Sequence, residues 1–293
     1  MRISLVIWLF DVLARLPLSA LHRLGSGLGW LIYHLSASYA RRLRDNLRHA
    51  FPDISESEFQ KLLNANIKES GKAIAELPWV WRRPTSEVLK AVREIHGWEQ
   101  LENASTKGKG VIILLPHLGC FEVVGTLVGS RKATTCLYRV PKLAWLDSVM
   151  RAGRDRDLMK SAKADVSGVR ILFRGLKKGE INGILPDQVP SNGEGEWTTF
   201  FGRPAYTMTL APRLIESSGA AVFMTYAERL PGGAGYNMYF SELKISDFSN
   251  LPQKINQALE DIIRRCPEQY LWSYNRYKTP NGVVPFAANK ETV

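Results

Sequence analysis

Short apolar runs alternate with stretches of helical spacing from residue 111 onward, and this alternation limits the fold more than any other feature of the chain. The strand-like runs cover residues 111–115, 134–139, 181–185, 221–226 and 236–243. The helical runs cover 121–129, 145–153, 169–178, 208–218 and 251–265. Strands and helices that take turns in this way predict an α/β fold, a central mixed sheet with flanking helices. With 293 residues the chain can bury a sizeable core in one large domain or two.

The segment before this alternation is different. An apolar run at 3–13 is interrupted by Asp11, and Arg15 and Pro17 follow it. A bilayer span needs about 20 mostly apolar residues, so this run is too short to cross. A single Arg2 and no small-residue cleavage site argue against a secretory leader. A second apolar stretch at 24–35 carries Gly25, Gly27 and Gly29, and then come Arg41, Arg42, Arg44 and Arg48. Apolar helix followed by arginines suits a helical membrane-anchoring arm at a cytoplasmic face, the arginines meeting anionic inner-membrane lipids. A buried helical hairpin with a solvated basic face is the alternative. Phe51-Pro52 ends the basic helix, Ser55 or Ser57 can cap the next, and that helix is expected at 58–76. The predicted organisation is an anchor and basic helix over 1–50 and an α/β domain over 51–293.

Composition narrows the partners without choosing among them. Lys and Arg number 39 against 28 Asp and Glu, a net charge of +11 that favours an anionic partner. No helix-turn-helix signature, zinc-finger spacing or aromatic RNA-binding motif appears, so nucleic acid is not expected. The three cysteines, Cys120, Cys136 and Cys266, are scattered and lack CxxC spacing, which supports neither a disulfide framework nor a zinc ribbon.

The chemistry concentrates in Gly110-Val-Ile-Ile-Leu-Leu-Pro116-His117-Leu118-Gly119-Cys120-Phe121-Glu122. A buried strand ends at Pro116, His117 follows, and Glu122 falls in the first turn of the next helix. Ligands of open α/β sheets bind at the carboxyl ends of strands, where His117 lies. Residues five apart on one helix are about 140° apart around it, so the two side chains meet only if His117 precedes the helix and turns back. Glu122 would then accept a hydrogen bond from one ring nitrogen and leave the other as a base. The nucleophile would be a substrate hydroxyl. No metal is expected, because one His and one Glu lack the companion ligands of a zinc site.

The stretch His117-Leu-Gly-Cys-Phe-Glu122 resembles the HxxxxD/E motif of glycerolipid-type acyltransferases. Further segments are similar to one branch, the lipid A late acyltransferases. They include Arg42-Leu-Arg44-Asp45-Asn46, Tyr138-Arg139-Val-Pro141, Gly153-Arg154-Asp155-Arg156, Leu185-Pro186-Asp187-Gln188, Phe200-Phe201-Gly202-Arg203-Pro204 and Pro267-Glu268-Gln269-Tyr270-Leu271-Trp272. They occur in the family's order from about residue 41 to 282. Two departures stand out: Cys120-Phe121 replaces the usual Asn-Trp, and Ser273-Tyr274-Asn275-Arg276-Tyr277-Lys278 replaces a His-Arg-Arg-Phe-Lys segment.

The resemblance implies a glycerolipid-acyltransferase-like fold and an inner-membrane enzyme of lipopolysaccharide assembly. It implies an acyl-carrier-protein thioester as donor, a phosphorylated glycolipid (lipid A precursor) as acceptor, and no cofactor. His117 would act as base with Glu122 behind it. Arg154 would serve the oxyanion or a phosphate, with backbone N–H groups at the helix start as competitors. Asp187 would orient a positive group or bind the acceptor hydroxyl, or else cap a turn. Arg203 would meet a phosphate, or be a loop cation. The run Arg151, Arg154, Arg156, Lys160 and Lys163 offers a docking face for an acidic carrier protein. An acyl-CoA-dependent enzyme acting on another glycolipid or a lysophospholipid is the nearest alternative, and a basic lipid- or nucleic-acid-binding protein the non-enzymatic one.

Overall fold

A computed structural model of the chain describes residues 2–286, with side chains from residue 6 onward. The first residues of the apolar run at 3–13 and the stretch 287–293 of the expected α/β domain therefore lie outside the side chains described. Helices α1 (Arg2–Arg15), α2 (Leu18–Leu35), α3 (Ala37–Ala50), α4 (Glu56–Ala75), α5 (Leu77–Arg82) and α6 (Thr85–Leu89) come first. Then follow β1 (Val92–His96), α7 (Trp98–Ser105), β2 (Val111–Leu114), α8 (Phe121–Arg131), β3 (Thr134–Tyr138) and α9 (Ala144–Arg154). The second half holds β4 (Met159–Lys163), α10 (Val166–Lys177), β5 (Ile181–Ile184), β6 (Gly195–Phe200), β7 (Arg203–Met208) and α11 (Leu210–Ser218). The series ends with β8 (Ala221–Arg229), β9 (Tyr236–Glu242) and α12 (Leu251–Ile263).

Seven strands form one sheet in the order β1-β9-β8-β2-β5-β3-β4, and β6 and β7 make a separate antiparallel hairpin. Strands β8 and β9 run antiparallel and the other neighbours parallel, so the expected α/β architecture with a mixed sheet is present. Strand β2 shows why its sequence is a continuous apolar run. Ile112 and Leu114 enter one core, Val111, Ile113 and Leu115 the other, and every one of these side chains is buried. The start of α4 also follows from sequence. Ser55 accepts from the Glu58 N–H while the Glu58 carboxylate accepts from the Ser55 N–H at 2.9 Å, a reciprocal capping box.

The N-terminal helices are built into the body. Leu43, Leu47 and Ala50 of α3 share one core with α4, α11 and α12, while Leu18 and Leu21 of α2 belong to the other. Among the described residues no helix is long and apolar enough to cross a membrane. Gly25 and Gly29 of α2 are contact points on α4. A Cβ on Gly29 would fall 2.0 Å from the Ile67 carbonyl oxygen, and one on Gly71 1.9 Å from that of Gly25. Only the bare backbone lets these helices come so close.

A buried polar cluster ties α2 and α4 to the sheet. Arg229, at the end of β8, donates from Nε to Glu76 at 2.9 Å and from Nη1 to Glu69 at 2.7 Å. Tyr236 and His22 also donate to Glu76, at 2.9 and 3.3 Å. Burial alone would raise the Glu76 carboxyl, but the charge and hydrogen bonds of Arg229, then those of His22, bring it down to about 2. Unfolded, it titrates near 4.5. The unfolded chain thus binds the extra proton as the medium is acidified, and this stabilisation is complete above pH 4.5 and lost toward pH 2. Urea unfolding across that window should show a loss of about 3 kcal/mol that Glu76→Gln lacks. Parallel pH curves for the two proteins would refute the assignment.

Candidate active site

Strands β2 and β5 lie side by side, parallel, with Val111 opposite Ile181 and Leu114 opposite Ile184. Both strands continue into Leu-Pro followed by a polar residue, Leu115-Pro116-His117 and Leu185-Pro186-Asp187. The same register carried three residues further puts His117 opposite Asp187. Their side chains meet there, with His117 Nδ1 2.8 Å from Asp187 Oδ1. The other carboxylate oxygen accepts from the His117 backbone N–H at 2.9 Å, so one carboxylate fixes both ring and main chain.

Asp187 is only 2 % exposed. Burial would raise its carboxyl, but the neighbouring His117, through charge and both hydrogen bonds, and then the Arg276 guanidinium, hold it below the ordinary carboxylate range. An ionised Asp187 takes its hydrogen bond from Nδ1–H and leaves the lone pair on Nε2. That nitrogen faces the Gln188 side-chain amide at 3.1 Å. The Phe121 ring packs edge-on against the imidazole, 4.9 Å between centroids.

The loop after His117 is strapped in place. Leu271 donates its N–H to the His117 carbonyl at 3.1 Å, Gly119 donates to Gln269 at 3.1 Å and Cys120 to Ala227 at 2.9 Å. Gly119 sits at φ +57°, and a Cβ there would lie 1.9 Å from the Ala227 oxygen, so the position admits glycine alone. Arg229 Nη2 donates to the Gly119 carbonyl at 3.1 Å from the buried cluster. Cys120 is no nucleophile: burial, reinforced by the Glu76 charge, pushes its thiol far up.

The expected hydrogen bond between His117 and Glu122 is corrected by this geometry. The carboxylate partner of the imidazole is Asp187, and Glu122 is engaged by Arg154, whose Nε lies 2.9 Å from Oε2 and whose Nη2 donates to Oε1. Glu122 opens α8 and Arg154 closes α9, so the ion pair joins two helices. Burial opposes the charge on Arg154, but Glu122 outweighs it and strengthens the guanidinium as a base. The guanidinium fork that sequence offered for an oxyanion or phosphate is thus occupied. Arg156 is likewise turned inward, donating to the Arg83 and Val80 carbonyls, so Arg151, Lys160 and Lys163 are the exposed cations of the basic run. Arg203 begins β7 with its guanidinium 4.2 Å from the Tyr277 ring centre, and does not line the cavity.

That cavity opens beside His117, holds about 680 Å³ and is walled by Ile113, Leu115, Val124, Val128, Met150 and Phe173. Its size and apolar lining suit one drug- or lipid-sized ligand. Glu122 and Arg154 form part of the wall, and the exposed Arg139, Arg170 and Arg213 add cations to it. Sequence reasoning assigned no role to Gln188 or to these three arginines. The repeated Leu-Pro ending of the two strands aligns His117 with Asp187 only once β2 and β5 are known to be neighbours. An oriented base beside an apolar cavity, with no thiolate at hand, is equipped to activate a hydroxyl of its substrate.

Comparison with known proteins gives that chemistry a family. The sequence profile of the bacterial lipid A biosynthesis acyltransferases matches residues 1–279. The chain is similar to the lipid A biosynthesis lauroyltransferase of Escherichia coli (strain K12), 27 % identical over 287 residues, covering 95 % of this chain and 91 % of that protein. It is 28 % identical over 280 residues to the lipid A biosynthesis palmitoleoyltransferase of the same organism, covering 94 % and 89 %. Its identity to the lipid A biosynthesis myristoyltransferase there is 23 % over 268 residues, covering 88 % and 82 %. The cavity, the histidine at its mouth and a match along almost the whole chain agree, and the chain belongs to the bacterial lipid A biosynthesis acyltransferases.

Proposed function

We propose that the enzyme moves a fatty acyl group from acyl-carrier protein to the hydroxyl of a hydroxyacyl chain on a lipid A precursor. The observation that carries this reading is the His117–Asp187 pair at the mouth of an apolar cavity. His117 Nε2 takes the acceptor proton as the acceptor oxygen bonds to the thioester carbon. The carbon–sulfur bond then breaks and the proton passes on to the leaving thiolate. Asp187 keeps the ring in the reactive tautomer and stabilises its protonated form. The acyl chain occupies the cavity, and Glu122 with Arg154 holds the wall beside the base. Arg139, Arg170 and Arg213 meet phosphate at the opening, replacing Arg203 in that role. Arg151, Lys160 and Lys163 face the acidic carrier protein. No cofactor enters the reaction.

The same reading gives the enzyme an interfacial hold on the inner membrane. Trp8, Leu9, Leu24, Trp30, Leu31 and Leu35 are exposed on α1 and α2, with Arg23, Arg41 and Arg44 exposed near them in sequence. Tryptophans with neighbouring arginines suit a membrane–water boundary carrying anionic lipid. Phe10 of α1 packs edge-on against Trp145 of α9, next to the exposed Leu143, so this apolar surface reaches the helix that borders the cavity.

The test is transfer by the purified full chain to lipid A precursor in anionic vesicles, read by mass spectrometry. Acyl-carrier-protein thioester should yield the acylated precursor and free carrier thiol. Transfer from acyl-CoA alone, or acylation of a lysophospholipid instead, would overturn the donor or acceptor. Trp8→Glu with Trp30→Glu should lower vesicle co-sedimentation, and unchanged co-sedimentation would move the membrane surface elsewhere.

A further inference from the structure

We propose that Gln188 is a further catalytic residue: its side-chain amide covers the basic nitrogen of His117 in the free enzyme and, displaced by the acceptor hydroxyl, donates to the thioester oxygen. This rests on the acyl-transfer reading above and deepens it.

Asp187 takes Nδ1–H, so Nε2 is an acceptor, and the Gln188 amide nitrogen 3.1 Å away is its donor. General-base catalysis needs the acceptor hydroxyl at about 2.6–3.2 Å from that nitrogen. Amide and hydroxyl therefore compete for one position, and turnover requires the amide to leave it.

Its movement is confined to the side chain. The preceding Asp187 is pinned by two hydrogen bonds to His117, and the following Val189 gives its N–H to the Tyr274 hydroxyl at 3.0 Å. A glutamine anchored on both sides still has three side-chain torsions. The attacked carbon sits about 3–3.5 Å from the attacking oxygen in a reactive pose, so the developing oxyanion lies within reach of a short swing.

Of the other candidate donors, those of the loop after His117 and two nitrogens of Arg154 are committed elsewhere, which leaves the N–H groups that open α8 as the competitor. Leu118 N–H goes to the Pro116 carbonyl at 2.7 Å, and the Gly119 and Cys120 N–H groups go to Gln269 and Ala227. Arg154 directs Nε and Nη2 at Glu122. The Gln188 amide carries two N–H bonds and lines the same cavity as His117. A neutral donor aimed at a developing oxyanion in a site with little water contributes about 10²- to 10³-fold in rate.

Two variants of the full chain test this, Gln188→Met, similar in length without a donor, and Gln188→Glu, the same shape with acceptors only. With acyl-carrier-protein thioester and lipid A precursor, both should lose about 10²- to 10³-fold in kcat while the donor KM stays within about threefold. In Gln188→Glu the carboxylate beside Nε2 should also move the acid limb of kcat/KM to higher pH. A kcat within about threefold of the unaltered enzyme in either variant would overturn the role of Gln188. Absence of transfer by the unaltered enzyme would instead overturn the acyl-transfer reading, and this inference with it.

Discussion

Asp187→Asn should lower acyl transfer by about 10³- to 10⁴-fold while the protein stays folded. The substitution keeps the shape of the side chain and reverses what it offers. An amide N–H turned toward Nδ1 draws the ring proton onto Nε2, the nitrogen that has to accept from the substrate hydroxyl. The comparable swap in a Ser-His-Asp triad costs about 10⁴ in kcat for the same reason. The Asp187 carboxylate also accepts the His117 main-chain N–H, so the variant tests orientation as well as charge. Steady-state kinetics, with the unfolding midpoint as control, decides the matter. A loss of less than about tenfold would show that another group orients His117.

The second large effect concerns stability. Glu122→Ala leaves the part-buried Arg154 guanidinium without its counter-charge, and Arg154→Ala leaves the buried Glu122 carboxylate without its own. Removing one member of such a pair costs about 3–5 kcal/mol, a large part of what holds a domain together. Replacing both at once with apolar residues of similar size, Glu122→Leu with Arg154→Met, should recover most of that loss. Urea unfolding of the two single variants and the double one measures it. Additive losses would mean that the two side chains do not act as a pair. Loss of activity in Glu122→Ala is therefore expected, and its first cause is the exposed energetics of Arg154 rather than a missing contact to the imidazole.

The elements legible in sequence are those whose pattern is set locally. The five apolar strands of the expected set all form, with ends displaced by no more than a few residues; full burial makes β2 and β5 continuous runs, whereas β9 alternates buried and part-exposed side chains. Strands β1 and β4 went unseen: Val92–His96 and Met159–Lys163 are sheet edges, and their exposed charges break up the apolar signal. The hairpin β6–β7 has the same difficulty, with Glu196 and Thr199 facing out. The place of His117 at the mouth of the sheet was legible because Pro116 and Gly119 mark the loop at a strand end. Its partner was not, because pairing His117 with Asp187 requires knowing that β5 inserts beside β2, ahead of β3, which no local spacing records. Arg154 and Arg156 read as part of a cationic face because composition does not reveal which way a side chain turns at a helix end.

The glycine contact between α2 and α4 has a mechanical consequence. Helices held at backbone distance by Gly25, Gly29 and Gly71 have no slack between them, and His22 bonds α2 to the same Glu76 whose partner, Arg229, grips the loop after His117. Anything that α2 rests against is thereby a fixed number of ångströms from the base. The molecule works as a keel and hull in one casting, and His117 rides at one set height above whatever the keel touches.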